Sequence, residues 1–206
     1  ALVSGQVPSA RVLWAGEFSE YPYSQHNGIF QALAQIENTE FRFDSSWPVI
    51  KNMHAELLFE NASMLIQSHS GQLFEIELAD GVTAAIPNLF QTDYLVIDIS
   101  KHANAEQVTG LMLASPLSDS VGATLDFLGV RGDVDAKVQL NIGIGKDGVI
   151  AKGDVDFSNN QLAIRAPAVA VEQLQGRLSF VNEKIDSSQL NFIAAGVPMQ
   201  AQLHGL

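Results

Sequence analysis

Apolar and polar residues alternate through most of this chain, and residues 134–157 show the pattern most fully. Val134, Ala136, Val138, Leu140, Ile142 and Ile144 fall on one side, and Asp133, Asp135, Lys137, Gln139, Asn141 and Gly143 on the other. Gly145-Lys146-Asp147-Gly148 makes a turn, and Val149, Ala151, Gly153, Val155 and Phe157 return on the apolar side. Successive side chains of a strand point to opposite faces, so this segment predicts a hairpin with one apolar and one wet face. What covers the apolar face, another protein layer or an apolar ligand, is the question that decides function.

The same reading predicts strands at 11–14, 29–37, 40–44, 54–60, 64–69, 72–79, 83–87 and 94–100. After a break it predicts 132–144, 149–157, 161–165, 176–181, 189–194 and 199–204. Turn-formers separate them: Asn27-Gly28, Asn61-Ala62-Ser63, Ser70-Gly71, Asp80-Gly81, Asn159-Asn160 and Gly196. Short strands at this spacing are the all-β pattern. Residues 104–128 break it: Asn104 is placed to cap a helix, with Gln107 three residues on, and Val108, Leu111 and Met112 follow at helical spacing. Pro116 interrupts, Ser118 is placed to cap a second short helix carrying Val121, Leu125 and Leu128, and Gly129 stops it.

The two halves are weakly alike. Glu40-Phe-Arg-Phe aligns with Gln161-Leu-Ala-Ile, and residues 49–61 align with 170–182, both at an offset of 121. Each copy reads strand, loop, strand, then an Asn at the turn. The domain expectation is a single β module of residues 1–206, with related halves at about 1–103 and 130–206 joined by the helical segment 104–128. Such units stack and leave a continuous apolar surface.

Of the 206 residues, 47% are hydrophobic, which is ample for a core. The net charge is −12, unevenly spread: residues 1–100 carry 12 acids and 3 bases, residues 101–206 carry 11 acids and 8 bases. An acidic surface repels phosphate backbones and anionic membrane surfaces, which argues against a nucleic-acid partner. Cysteine is absent, which excludes thiol nucleophiles, disulfides and Cys-ligated zinc. No apolar run reaches the roughly 18–20 residues of a membrane span. The opening Ala1-Leu2-Val3 reads as a mature form or an excerpt of something longer.

Candidate chemistry is sparse. Gly143-Ile-Gly145-Lys-Asp-Gly148 matches the dinucleotide fingerprint in letters, but that fingerprint needs a helix to follow, and the next residues read as a strand. His26, His54, His69, His102 and His204 show no metal-ligand spacing. Asp133/Asp135 and Asp154/Asp156 could suggest a calcium site, but alternation puts them on the solvated face. Asn61-Ala-Ser63 is a formal glycosylation sequon that also reads as a turn. No nucleophile has a visible base nearby, so the chain is read as non-enzymatic, with no cofactor and no metal.

Several motifs in order resemble one family. Trp14-Ala-Gly16, Tyr21-Pro-Tyr23, Phe41-Arg-Phe, Trp47-Pro48-x-Ile50 and Ala55-x-Leu57-x-Phe59-x-Asn61 occur in the first half. Leu113-Ala-Ser-Pro-Leu117, Val130-x-Gly132-x-Val134-x-Ala136 and Asn160-x-Leu162-x-Ile164 follow. Together they resemble the AsmA superfamily and its YhdP-like members, from Trp14 to the C-terminus. The resemblance implies a periplasmic location within a Gram-negative envelope and an internal piece of a much longer protein anchored in the inner membrane. It also implies a β-sheet groove that carries phospholipid toward the outer membrane.

The expected fold is therefore mainly β: a long, curved antiparallel sheet forming an open groove or sandwich-like module, with the helical pair covering part of it. The expected partner is phospholipid or another acyl-chain lipid. The expected groove lining is Phe41, Phe43, Ala55, Leu57, Phe59, Phe74, Ile76, Val138, Leu140, Ile142, Val155, Leu178 and Phe180. A lining of this kind must be apolar, because each large side chain gains roughly 1.5–3 kcal/mol on leaving water. The rival expectation is a structural or assembly module, in which the apolar faces close into an ordinary core and the acidic face meets other envelope proteins. On the groove reading, Leu140→Asp blocks lipid passage and spares the fold.

Overall fold

Alternation over so many consecutive segments leaves each strand needing neighbours on both sides, and the chain answers with one continuous sheet. A computed structural model describes residues 2–42, 45–79, 82–91, 94–144, 148–165, 168–182 and 184–204. The first half supplies β1 (Leu2–Ala15), β2 (Ile29–Phe41), β3 (Ile50–Glu60), β4 (Ser63–Leu73), β5 (Ile76–Glu77), β6 (Val82–Ile86) and β7 (Tyr94–Asn104). Helices α1 (Ala105–Leu113) and α2 (Ala123–Leu128) follow. The second half adds β8 (Val130–Arg131), β9 (Asp133–Gly143), β10 (Val149–Arg165), β11 (Ala168–Val181), β12 (Lys184–Ser187), β13 (Leu190–Ala194) and β14 (Val197–Ala201). Among the described residues these strands form one open antiparallel sheet, not closed into a barrel. Its path is β1-β2-β3-β4-β6-β7-β9-β10-β11-β13-β14, with β5, β8 and β12 pairing at its margins.

Several strands run through positions that read as turns. Residues 29–37 and 40–44 were expected as two strands, but β2 is continuous to Phe41, and Asn159-Asn160 lies inside β10. The physical reason is the β-bulge: an extra residue in left-handed conformation bends a strand without ending it. Asn38 (φ 48°), Asn52 (φ 50°) and Gln173 (φ 53°) adopt that conformation, and pairing shifts register beside each. Gly5 faces Thr39 so closely that a Cβ would collide with the threonine side chain. The polar groups drawn inside at these bends are satisfied. Thr39 Oγ1 donates to Glu37 O (3.2 Å), and Asn160 Nδ2 donates to Arg131 O (3.1 Å) and Asp133 O (2.9 Å). By contrast the strand expected at 72–79 is split: Gln72 and Leu73 end β4, which runs on through the expected Ser70-Gly71 turn, Phe74 turns at φ 57°, and only Ile76–Glu77 remain as β5.

Asn61 and Asn182, 121 positions apart, close their hairpins identically. Asn61 Oδ1 accepts from Phe30 N (2.8 Å) while Asn61 N donates to Phe30 O (2.8 Å). Asn182 Oδ1 accepts from Ala151 N (2.9 Å) while Asn182 N donates to Ala151 O (2.7 Å). Both asparagines sit at positive φ, which Asn tolerates better than alanine. Asn61→Ala is expected to cost about 1–3 kcal/mol, the cost of an orphaned half-buried donor with left-handed strain added. Asn61→Gly, which keeps the backbone angle, is expected to cost less. Urea midpoints of the two variants check the order.

The helical segment forms where expected, with one difference. Asn104 Oδ1 accepts from Gln107 N (3.3 Å), as an N-cap should. Ser118 caps nothing; residues Ser118–Gly122 form a π-helical turn leading into α2, which ends at Gly129 in left-handed conformation (φ 54°).

Candidate functional site

Residues opposite each other on paired strands share a face, so the register draws rows across the sheet. One row on the helix-bearing face runs Ala10–Ala34–Leu57–Ile66–Ala84–Ile97–Leu140–Ala151 without a polar side chain. Beside it run Val12–Ala32–Phe59–Met64–Ile86 and, further along, Leu95–Ile142–Val149. On the other side run Ile36–Ala55–Ser68 and Val82–Ile99–Val138–Gly153–Phe180–Ile185. This is the inner face.

The protein covers much of that face itself. Leu117 of the helical segment and Trp47 of the β2–β3 connection join Ile97, Leu140, Ile142 and Ala151 in a central cluster, with Met112 and Val121 packed against it. Leu111 of α1 closes on Leu73 and Leu78. Leu125 and Leu128 of α2 pack against Ala105, Val130 and Val134. The helical segment thus packs onto the inner face of the sheet.

The expected lining divides accordingly. Ala55, Leu140 and Ile142 are buried in protein contacts. Phe41 and Leu57 pack against the cluster of Ile36, Met53, Ala55 and Ile66; Val138 and Phe180 against the central cluster; Ile76 and Val155 under α1 and α2 respectively. Phe74 stands apart, its ring against Gly110 of α1. Phe59 and Leu178 are half-buried, and Phe43 lies outside the described residues.

What stays open on the inner face is a strip in the first half: Val12 (68% exposed), with Ala32, Ala34, Leu57, Phe59, Met64 and Ile86 half-buried, while Leu95 packs against the central cluster. The sequence reading named Leu57 and Phe59 from this strip and missed the others. Ala32, Met64 and Ile86 do alternate in sequence, but only the register shows that Ala32 and Met64 flank Phe59 and that Ile86 continues the row.

The strip ends in aromatic rings. Trp14 and Phe30 are paired directly beyond Val12 and Ala32, with centroids 4.9 Å apart. Phe18 stacks on Trp14 (4.6 Å), and Tyr21 meets Trp14 (5.6 Å), Phe30 (5.7 Å) and Phe90 (5.9 Å). Trp14 Nε1 donates to the hydroxyl of the buried Tyr23 (2.7 Å), which is wedged between Gly16 and Gly28. A Cβ at Gly28 would collide with that ring, so the glycine is required there.

The opposite face carries the charges. His102, Asp135, Asp156 and Arg177 stand opposite one another on β7, β9, β10 and β11. Arg177 grips Asp156 with two hydrogen bonds (2.7 and 2.9 Å), and His102 Nδ1 lies 3.0 Å from Asp135 Oδ1. The aspartate pairs thus have protein partners, and no group of three metal-ligating residues occurs among the described residues. Asp135, by hydrogen bond and charge, raises the His102 pKa, and the Arg177 hydrogen bond lowers that of Asp156. The histidine's stabilising contribution is therefore full below its unfolded pKa and lost as pH rises through the raised folded value. The aspartate's is present above its unfolded pKa and lost as pH falls through the lowered one. An NMR titration is expected to place His102 above an ordinary histidine, and Asp135→Asn to bring it back down.

The Gly-rich turn contributes no nucleotide site of the dinucleotide type. Residues 145–147 lie outside the described residues, and the strand β10 follows where the fingerprint needs a helix.

Comparison with known proteins places the chain. The YhdP protein family matches residues 1–205. The Intermembrane phospholipid transporter YhdP of Escherichia coli (strain K12) is 32% identical over 190 residues, covering 92% of this chain. The chain spans 15% of that relative's length. No solved structure matches it.

Proposed function

The chain belongs to the YhdP family, and from that premise we propose that it is a non-enzymatic segment of a phospholipid conduit, holding acyl chains along the open inner strip. The observation that carries this reading is the strip itself: a row of apolar side chains continuous over β1, β2, β3, β4 and β6, left uncovered by the helices. Acyl chains lie on such a surface without stranding a polar group, while head groups remain in water at the strip's open side. The similarity to the E. coli intermembrane phospholipid transporter supports the same ligand class. On this reading the chain works in the periplasm as part of a longer protein anchored in the inner membrane. The halves related by the two asparagine locks are copies of one β unit.

The inner face divides by role. Leu140 and Ile142 under the helical segment, and Ala55 in the cluster of Ile36, Met53 and Ile66, hold the fold, and Val12, Ala32, Phe59, Met64 and Ile86 meet lipid. The test is extraction of the purified chain followed by mass spectrometry. Phospholipid retained in stoichiometric amount is the expected result; a lipid-free chain that also fails to take up added phospholipid sinks the reading.

A second reading has one observation in its favour. The outer face carries its own apolar row, Leu33–Leu58–Leu65–Ala85–Val96, which continues to Asn141 and Ile150. Asn141 Oδ1 is buried there without a hydrogen-bond partner. A protein partner that lays an apolar edge along this row and offers a donor to Asn141 would make the chain an assembly module as well.

A further inference from the structure

We propose that the aromatic cluster of Trp14, Phe18, Tyr21, Phe30 and Phe90 is an acyl-chain contact site, where phospholipid hydrocarbon passes onto or off the inner strip. This rests on the reading of the strip as a lipid track, and it adds the place of transfer. Trp14 and Phe30 form the next register row after Val12 and Ala32 on the same face, so the cluster continues the strip without a polar break.

The cluster is assembled from three separate connections, two of which supply its rings. Trp14, Phe18, Tyr21 and Phe30 belong to β1, β2 and the segment between them, Phe90 to the β6–β7 connection, and the β3–β4 turn supplies the carbonyl of Asn61. Their donors point inward: Trp14 Nε1–H to Tyr23, Tyr21 Oη–H to Asn61 O at 2.9 Å. What faces outward is hydrocarbon, with Phe18 at 74% and Phe90 at 60% exposure. Indole and phenol groups whose polar ends are already bound present an apolar surface on a rigid base, which suits a mobile alkyl chain.

The charges around the cluster select the tail over the head group. Residues 12–41 contain no lysine or arginine, and Glu17 and Glu20 lie in the same connection, the latter accepting from Asn27 Nδ2 (2.7 Å). In that stretch a lipid phosphate meets no lysine or arginine. The second asparagine lock has Ala151 where the first has Phe30, so the second half lacks the ring at the matching position.

Trp14 reports on the site directly. Trp47 is 4% exposed inside the central cluster, so Trp47→Phe leaves Trp14 as the single emitter; if that variant fails to fold, the difference between the unaltered chain and Trp14→Phe isolates the same signal. The chain is mixed with vesicles of dioleoyl phosphatidylcholine or of its acyl-brominated analogue, bromine quenching indole only near contact. Loss of most Trp14 emission with the brominated lipid is expected. Phe18→Ser combined with Phe90→Ser is expected to slow lipid uptake severalfold while the amount finally retained is unchanged. Retained lipid with equal Trp14 emission in both vesicles overturns the transfer site and spares the strip. Failure to retain any lipid overturns the strip and the transfer site together. Quenching that vanishes on dilution along with a dimer, with Trp14 covered in the lipid-free dimer, assigns the cluster to self-association and overturns the proposal.

Discussion

Leu140→Ala is expected to lower the melting temperature by roughly 5–15 °C, the largest effect of any single truncation on the inner face. Leu140 is 5% exposed, paired with Ile97 and Ala151 across the sheet and enclosed with Leu117 and Trp47. Removing a buried leucine's outer carbons costs about 2–5 kcal/mol, because the neighbours collapse only in part. Leu140→Asp goes further, since its carboxylate would be buried in an apolar cluster without a lysine or arginine, and unfolding is expected. The sequence alone suggested a different outcome, a blocked groove in an intact fold. The reason for the change is concrete: the helical segment lies on this residue. Differential scanning calorimetry of the alanine variant and circular dichroism of the aspartate variant check both expectations. An Asp variant that melts like the parent would show that nothing covers Leu140.

Phe59→Asp is expected to do the reverse, sparing the fold and removing lipid. Phe59 is half-buried, sits beside Ala32 and Met64 in the open strip, and carries no helix over it. A carboxylate there keeps its water in the empty chain, so stability changes by only about 1–2 kcal/mol, within the ordinary range for a partly exposed site. An acyl chain laid on the strip would have to strip that water, and the desolvation penalty falls wholly on the lipid complex. Retained phospholipid is expected to fall at least about tenfold, the equivalent of roughly 1.4 kcal/mol. Phe59→Leu preserves the apolar surface and is expected to retain lipid as the parent does. Equal retention in the Asp and Leu variants would remove Phe59 from the track.

Period-2 alternation revealed the sheet because it is a local property: Val134 to Ile142 declares its faces with no knowledge of its neighbours. The Asn104 cap and the Gly129 stop were legible for the same reason. The bends were not, since Ser70-Gly71 and Asn159-Asn160 look like turns in sequence and yet lie inside β4 and β10. Only pairing to a strand on each side shows that the chain continues through them. The lining was half legible. Leu140 and Phe59 have the same apolar, strand-like signature, and what separates them is whether residues 104–128 lie above, which no periodicity encodes. The aromatic cluster was least visible, because Phe90 comes from a connection some 60 residues beyond Phe30.

The central claim is that acyl chains occupy the open inner strip and its aromatic end, and not the outer apolar row. A photoreactive benzophenone residue placed singly at Phe59, Met64 or Leu65 tests it most directly. Phe59 and Met64 are paired on the inner face, while Leu65, next in sequence, belongs to the outer apolar row and is itself 38% exposed. After illumination with phospholipid present, lipid adducts are expected at positions 59 and 64 and not at 65. Equal labelling at all three, or adducts at 65 alone, would contradict the account.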